Sequence, residues 1–289
     1  MNRRARHLGM MLPFCTLMAL FAAAPEVVAL EDNLDVDIDE YLQLETILNP
    51  GQPVDAQLSN PVVELFPKLG VWNAHISGTM SSGTPPLQLG LFDDLGLEGS
   101  TDGFIVYGQI SLGFLAIRYS SFFAQFEGQN TLTRDIDFGG ISFTISDDIT
   151  SSLEINNYTL MLAVRLINID GFKFYVEGGV SYYQLEGTVA STTFGTGTET
   201  ADVPVPVIGA LIQLNFGRFF VELELMGLDL EYGNTSGSVL DGQVSVGVRF
   251  LRFIAARAGY RYIDFDGKHN DFEVGVVIDG FFFSVGIVF

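Results

Sequence analysis

The sequence predicts an all-β fold: one antiparallel sheet closed into an up-and-down transmembrane barrel of about ten strands, with eight or twelve as the alternatives. Three observations carry that expectation. The 289-residue chain is 48% hydrophobic and 12% aromatic, yet only 17% of its residues are charged and its formal charge is −21. Past the N-terminus the apolar content comes in short pieces, never in the run of about 18 or more residues that a membrane helix needs. Those pieces alternate apolar with polar or small residues. Their connections alternate between very short and long, which is how a spanning barrel arranges tight turns on one side and loops on the other.

Residues 1–29 read as a secretory signal peptide. Arg3, Arg4 and Arg6 form a basic start, Leu8–Ala24 an apolar run, and Val27-Val28-Ala29 a small-residue exit before the acidic stretch that begins at Glu31. The single cysteine, Cys15, falls inside the apolar run. Leu12-Pro13-Phe14 before it lacks the small residues that lipid modification requires, so the exported chain is expected to carry no thiol, disulfide or cysteine metal site. Cleavage after Ala29 removes three arginines and one glutamate, so a net charge of −21 becomes −23. No basic stripe of the kind that binds nucleic acid is present.

Residues 30–69 form an acidic preface, expected to lie in the periplasm. Glu31, Asp32, Asp35, Asp37, Asp39, Glu40 and Glu45 occur with no basic residue until Lys68. Asp39–Leu48 carries a short amphipathic pattern that Asn49-Pro50-Gly51-Gln52-Pro53 breaks. A solvated linker, a helix packed under the barrel and a docking segment all fit that composition.

Residues 70–289 are expected to form the barrel. In Tyr158–Leu166, the residues Tyr158, Leu160, Leu162, Val164 and Leu166 share one face and Thr159, Met161, Ala163 and Arg165 the other. Similar alternation runs through Phe172–Tyr182, Val221–Leu225, Gln243–Phe250 and Ile254–Tyr262. Short turns are expected near Gly113-Phe114, Asn168–Gly171, Asn215–Arg218 and Leu251-Arg252, with longer loops near 81–102, 131–152, 188–202 and 233–240. A soluble β-sandwich would alternate as well. It is disfavoured by an apolar face that persists over many strands and turns aromatic near their ends. Asp279-Gly280 in the last segment could make a hairpin. An even strand number instead favours one long strand with a bulge or bend there.

Phe281, Phe283, Val285, Ile287 and the terminal Phe289 alternate with Phe282, Ser284, Gly286 and Val288. With Ala258–Asp266 before it, this stretch resembles the last hairpin of small bacterial outer-membrane barrels akin to the outer-membrane protein A type barrel domain. The resemblance implies a Gram-negative outer membrane, contact with its lipid and lipopolysaccharide, and recognition of Phe289 by the barrel assembly machinery. It does not imply an activity, because fold does not determine function.

If the apolar faces meet lipid, the opposite faces enclose Arg118, Arg165, Glu177, Glu222, Glu224, Arg249, Arg257 and Arg261. Charges in a narrow lumen must pair or stay hydrated. A cross-strand ion-pair network filling the interior is the expectation, with a narrow channel-like path as the alternative. A barrel enzyme acting on lipid A or peptides would need a general base beside a nucleophile or acid. Past the leader only His75 and His269 could serve. His75 is expected to face the lumen, while His269 lies near Asp266 and Asp271 in a presumed tight loop. Asp264, Asp266 and Asp271 lack a recognised calcium-loop spacing, and no phosphate loop or nucleophile motif appears. The sequence therefore predicts a structural or channel-like protein without a cofactor. An enzyme, or a protein that binds partners through loops such as Asp135–Asp148, is the other possibility.

Overall fold

A computed structural model describes residues 63–82, 87–97, 99–232, 235–251, 254–269 and 272–287. The signal segment, the acidic segment up to residue 62 and Phe289 lie outside the described residues. No helix among the described residues is long and apolar enough to cross a membrane. The chain crosses with strands.

The strands are β1 (Val63–Leu65), β2 (Lys68–Ser82), β3 (Leu87–Gly90), β4 (Ser100–Leu112), β5 (Leu115–Thr131), β6 (Ile136–Phe138) and β7 (Ile141–Phe143). They continue with β8 (Asp148–Ile169), β9 (Phe172–Ser191), β10 (Gly195–Phe216), β11 (Phe219–Tyr232), β12 (Thr235–Leu251), β13 (Ile254–His269) and β14 (Phe272–Ile287). Ten of them make the wall, in the order β2-β4-β5-β8-β9-β10-β11-β12-β13-β14, every neighbour antiparallel. The wall closes where β14 pairs β2, from Glu273↔Ser81 to Gly286↔Lys68. Closure removes the free edges that an open sheet would present. β1 pairs the far end of β4 after a break at Phe66-Pro67, where proline supplies no N–H to a ladder.

The last segment is one strand, as an even count requires, and its register carries no bulge. Asp279 and Gly280 hold unbroken register with Tyr262 and Arg261 on one side and with His75 and Ala74 on the other. Three expected loops are largely strand, and one of them, 233–240, is the start of β12 from Thr235. The 188–202 region is the continuation of β9 and β10 around a turn at residues 192–194. Its Thr and Val content suits a pleated surface even where the hydropathy is low. The Asp135–Asp148 region contains the β6–β7 hairpin, with Ile136, Phe138 and Phe143 buried, so it is not a free binding loop.

The lengths of β8, β9 and β10 exceed the roughly 9–11 residues a strand needs to cross a bilayer, and the reason lies in their polarity. Along the turn-side half of β8, outward Leu160 and Leu162 are exposed (57% and 53%) while inward Thr159, Met161 and Ala163 are buried. Toward the loops the faces exchange character. Outward positions become Asn156, Glu154 and Thr150, and inward ones become Ile155, Leu153 and Ile149. β9 changes at the same height, from outward Val176, Val180 and Tyr182 to Gln184, Glu186 and Thr188. The expectation that apolar rows face out therefore holds for the turn-side half only. An exposed apolar girdle of this size needs hydrocarbon around it. Beyond it the barrel is built like a soluble protein, with polar residues out and apolar residues in.

That outer interior is an apolar core. Trp72 stacks edge-on against Phe122 with centroids 5.2 Å apart, and Tyr183 lies 4.7 Å from Phe265. The β6–β7 hairpin caps this core. Gly139 sits at φ 58°, and a Cβ there would lie 2.2 Å from the Thr198 nitrogen. Gly139→Val is expected to expel the hairpin, so limited proteolysis of the refolded protein should cut within 132–147 where the parent resists, while the wall still forms.

Candidate functional site

The girdle half of the lumen holds a compact set of charges. Alternation turns Arg118 of β5, Glu177 of β9, Glu222 and Glu224 of β11, Asp241 of β12, Arg257 and Arg261 of β13 and Lys68 of β2 inward. Arg118 donates to Glu177 at 2.5 Å and, bidentately, to Glu224 at 2.9 Å through each terminal nitrogen. Glu222 accepts from Lys68 Nζ at 3.1 Å, from Arg257 Nη1 at 2.6 Å and from Gln213 Nε2 at 3.1 Å. Arg261 grips Asp241 through Nε at 3.1 Å and Nη2 at 2.6 Å. Four cations thus meet four carboxylates, all with side chains no more than 14% exposed. Charge compensation and short charge-assisted bonds are the conditions under which ions tolerate such a site.

Aromatic rings seal this layer to the apolar core above it. The Arg257 guanidinium lies 4.1 Å from the Tyr107 ring centroid, whose hydroxyl donates to Gln243 at 2.6 Å. Arg261 lies 5.2 Å from Phe122 and 5.8 Å from Trp72, so the uppermost cation is also the floor of the aromatic layer. On the turn side, a polar vestibule lined by Gln109, Lys173, Gln213, Asn215, Glu222 and Arg249 leads up to the network.

Of the eight expected lumen charges, Arg118, Glu177, Glu222, Glu224, Arg257 and Arg261 are ion-paired. Arg249 instead lines the vestibule and bonds Asn215 Oδ1 at 2.8 Å. Arg165 and Glu177 are not register partners: a register shift follows Arg165 in β8, Tyr175 stands opposite it, and Ala163 faces Glu177. Nor are the partners mostly strand neighbours. Lys68 and Arg118 reach Glu222 and Glu224 from non-adjacent strands, because long side chains span a lumen this narrow. The sequence reading missed Lys68, which precedes the expected barrel start at residue 70. It also missed Asp241, at the edge of a presumed loop. The inward spacing Asp241, Gln243, Ser245 is the signal that would have found the latter.

His75 is not in the lumen. Trp72, Ala74 and Ile76 around it are buried, and His75 is exposed on the outward face, with Ser100 of β4 and Asp279 of β14 as its register partners. The apolar residues there belong to the outer, inverted half, so the rule that places polar residues inside fails. His269 ends β13 opposite Phe272 rather than lying in a loop. Among the described residues no three metal-ligating side chains gather.

No family model and no curated protein matches the chain. Solved structures do. The outer-membrane protease OmpT of Escherichia coli superposes with a TM-score of 0.51 over 80% of this chain and 97% of its own, at 11% identity. The chain has the outer-membrane β-barrel fold. Looser likenesses to the outer-membrane barrel are the NalP translocator domain of Neisseria meningitidis, at TM-score 0.39 and 13% identity over 88% of this chain and 98% of that one, and Ail of Yersinia pestis, at 0.34 and 12% over 78% and 99%. A likeness at 11% identity shows the fold, and a fold does not by itself bring an activity.

Proposed function

We propose that this protein is an integral barrel of the Gram-negative outer membrane with a structural, axially sealed lumen. It would be inserted by the barrel assembly machinery through the Phe289 end, and its acidic N-terminal segment would lie in the periplasm. The apolar girdle would sit in the lipid and lipopolysaccharide bilayer, and the outer half would stand above it. The observation that carries the reading is the double plug: a charge-neutral ion-pair layer directly beneath a packed aromatic and aliphatic core. A narrow, gated path is the second reading, supported by the polar vestibule that reaches Glu222. Conductance of refolded Leu30–Phe289 in planar bilayers separates the two. The sealed reading expects bilayers without steady conductance at any modest voltage. A stable, salt-dependent open level would replace it with the channel reading.

A further inference from the structure

Among the described residues, one stretch of the wall shows no ladder pairing between neighbouring strands and no inserted segment over it. β10 and β11 pair from Phe216↔Phe219 only as far as Ile208↔Gly227, although both strands continue past that point. On its other side β10 stays paired with β9 all the way to Gly195↔Ser191. The cause is local. The Asn215 N–H bonds Gly171 O on the β9 side at 2.6 Å. By alternation, odd residues of β10 therefore address β9 and even ones address β11. Pro204 and Pro206 occupy the next even positions and offer no N–H, so the ladder stops where they begin.

The other place where wall strands part is covered. Above Phe104↔Phe123, Leu97 bridges Gly128, and Asn130 Nδ2 donates to the carbonyls of Asp93 and Asp94 at 2.9 and 3.1 Å. At the β10–β11 seam, closure comes from side chains. Val205 reaches across to β12, 4.0 Å from where a Cβ on Gly237 would stand.

What lies on either side of the seam names its ligand. Its lower end borders Ile208, 62% exposed in the lipid-facing girdle, so the seam opens onto hydrocarbon. Behind it Val205, Val207, Met226 and Val239 belong to the apolar core. A small recess in the same core is walled by Met80, Leu153, Ile155, Leu185, Val274 and Phe138 of the capping hairpin, with Glu199 of β10 also on its lining. We propose that the seam is a lateral entry by which a single aliphatic chain from the surrounding bilayer reaches the apolar outer interior. It is independent of the axial plug and stands or falls separately from it.

Trp72 is the only tryptophan, and it is fully buried in the aromatic layer that includes Tyr183, whose register partner in β10 is Val203 at seam height. Its emission therefore reports chains that come inside. The full exported chain is refolded into unbrominated phosphatidylcholine vesicles and titrated with dibrominated stearic acid, or in a second arm with brominated phospholipid. Continuation of the ladder would set Pro206 opposite Asp229. A Pro206→Cys/Asp229→Cys protein, which has no other cysteine after leader removal, lets the seam be locked by oxidation or a short bis-maleimide. Gly237→Leu fills it from within without a cross-link. The expected result is saturable loss of Trp72 emission in the parent and the reduced pair, abolished by the lock and by Gly237→Leu and restored on reduction. Quenching by both probes would identify bilayer tails as the source, and by the fatty acid alone a free chain. Quenching that persists in both the locked and the filled proteins would overturn the entry route. Absence of saturable quenching in the parent would overturn the site itself.

Discussion

Glu222→Ala is expected to destabilise the barrel by about 3–5 kcal/mol, the usual cost of leaving buried cations without their partner. Glu222 is the acceptor that Lys68, Arg257 and Gln213 share, so its removal strands two cations in a lumen with no other carboxylate bonded to them. Urea unfolding in lipid vesicles, followed by heat-modifiable gel mobility, reads the change as a lower midpoint. Arg134→Ala provides the contrast. Arg134 meets Asp94 at 2.6 Å with its side chain 43% exposed, and losing such a surface pair should cost at most about 1 kcal/mol. Equal effects from the two substitutions would mean that the lumen network is solvated and does not plug the barrel.

Leu162→Arg should cost about 2–4 kcal/mol, as expected for a cation near the middle of the bilayer on a lipid-facing strand. Glu186→Arg, on the outward face of the adjacent β9 but in the outer half, should change stability by no more than about 0.5 kcal/mol. Both positions are outward and both receive the same side chain, at different heights on the wall. A common cost would show that hydrocarbon covers the whole wall, and a negligible cost at Leu162 that it covers none. The same unfolding assay in vesicles serves both variants.

The girdle was legible in the sequence because period two and lipid exposure act together there: Leu160, Leu162 and Leu166 alternate with Thr159, Met161 and Arg165, and one face must be apolar. Six of the lumen charges followed from the same alternation. The outer half was not legible, because its wall carries polar residues outside and apolar residues inside, and nothing local marks the height at which the faces exchange. Thr196, Thr198 and Thr200 therefore read as loop, and His75 was assigned to the wrong side. The ion-pair partners were hidden for another reason. Lys68 with Glu222 and Arg118 with Glu224 meet across the lumen rather than along the sheet, so strand adjacency could not name them. Pro204 and Pro206 were visible from the outset, but their effect depends on which neighbour the even positions of β10 address, and only the register reveals that.

Polarity inverts part-way up each long strand, and a spin-label scan of β8 reads that inversion position by position. Nitroxides placed one at a time at the outward positions from Thr150 to Leu166 in the refolded, bilayer-embedded protein would be read for accessibility to oxygen and to a water-soluble nickel chelate. The account predicts chelate access at Thr150, Ser152, Glu154 and Asn156, and oxygen access with chelate exclusion at Leu160, Leu162 and Val164, with the crossover at Tyr158. Chelate access at every one of these positions would contradict it.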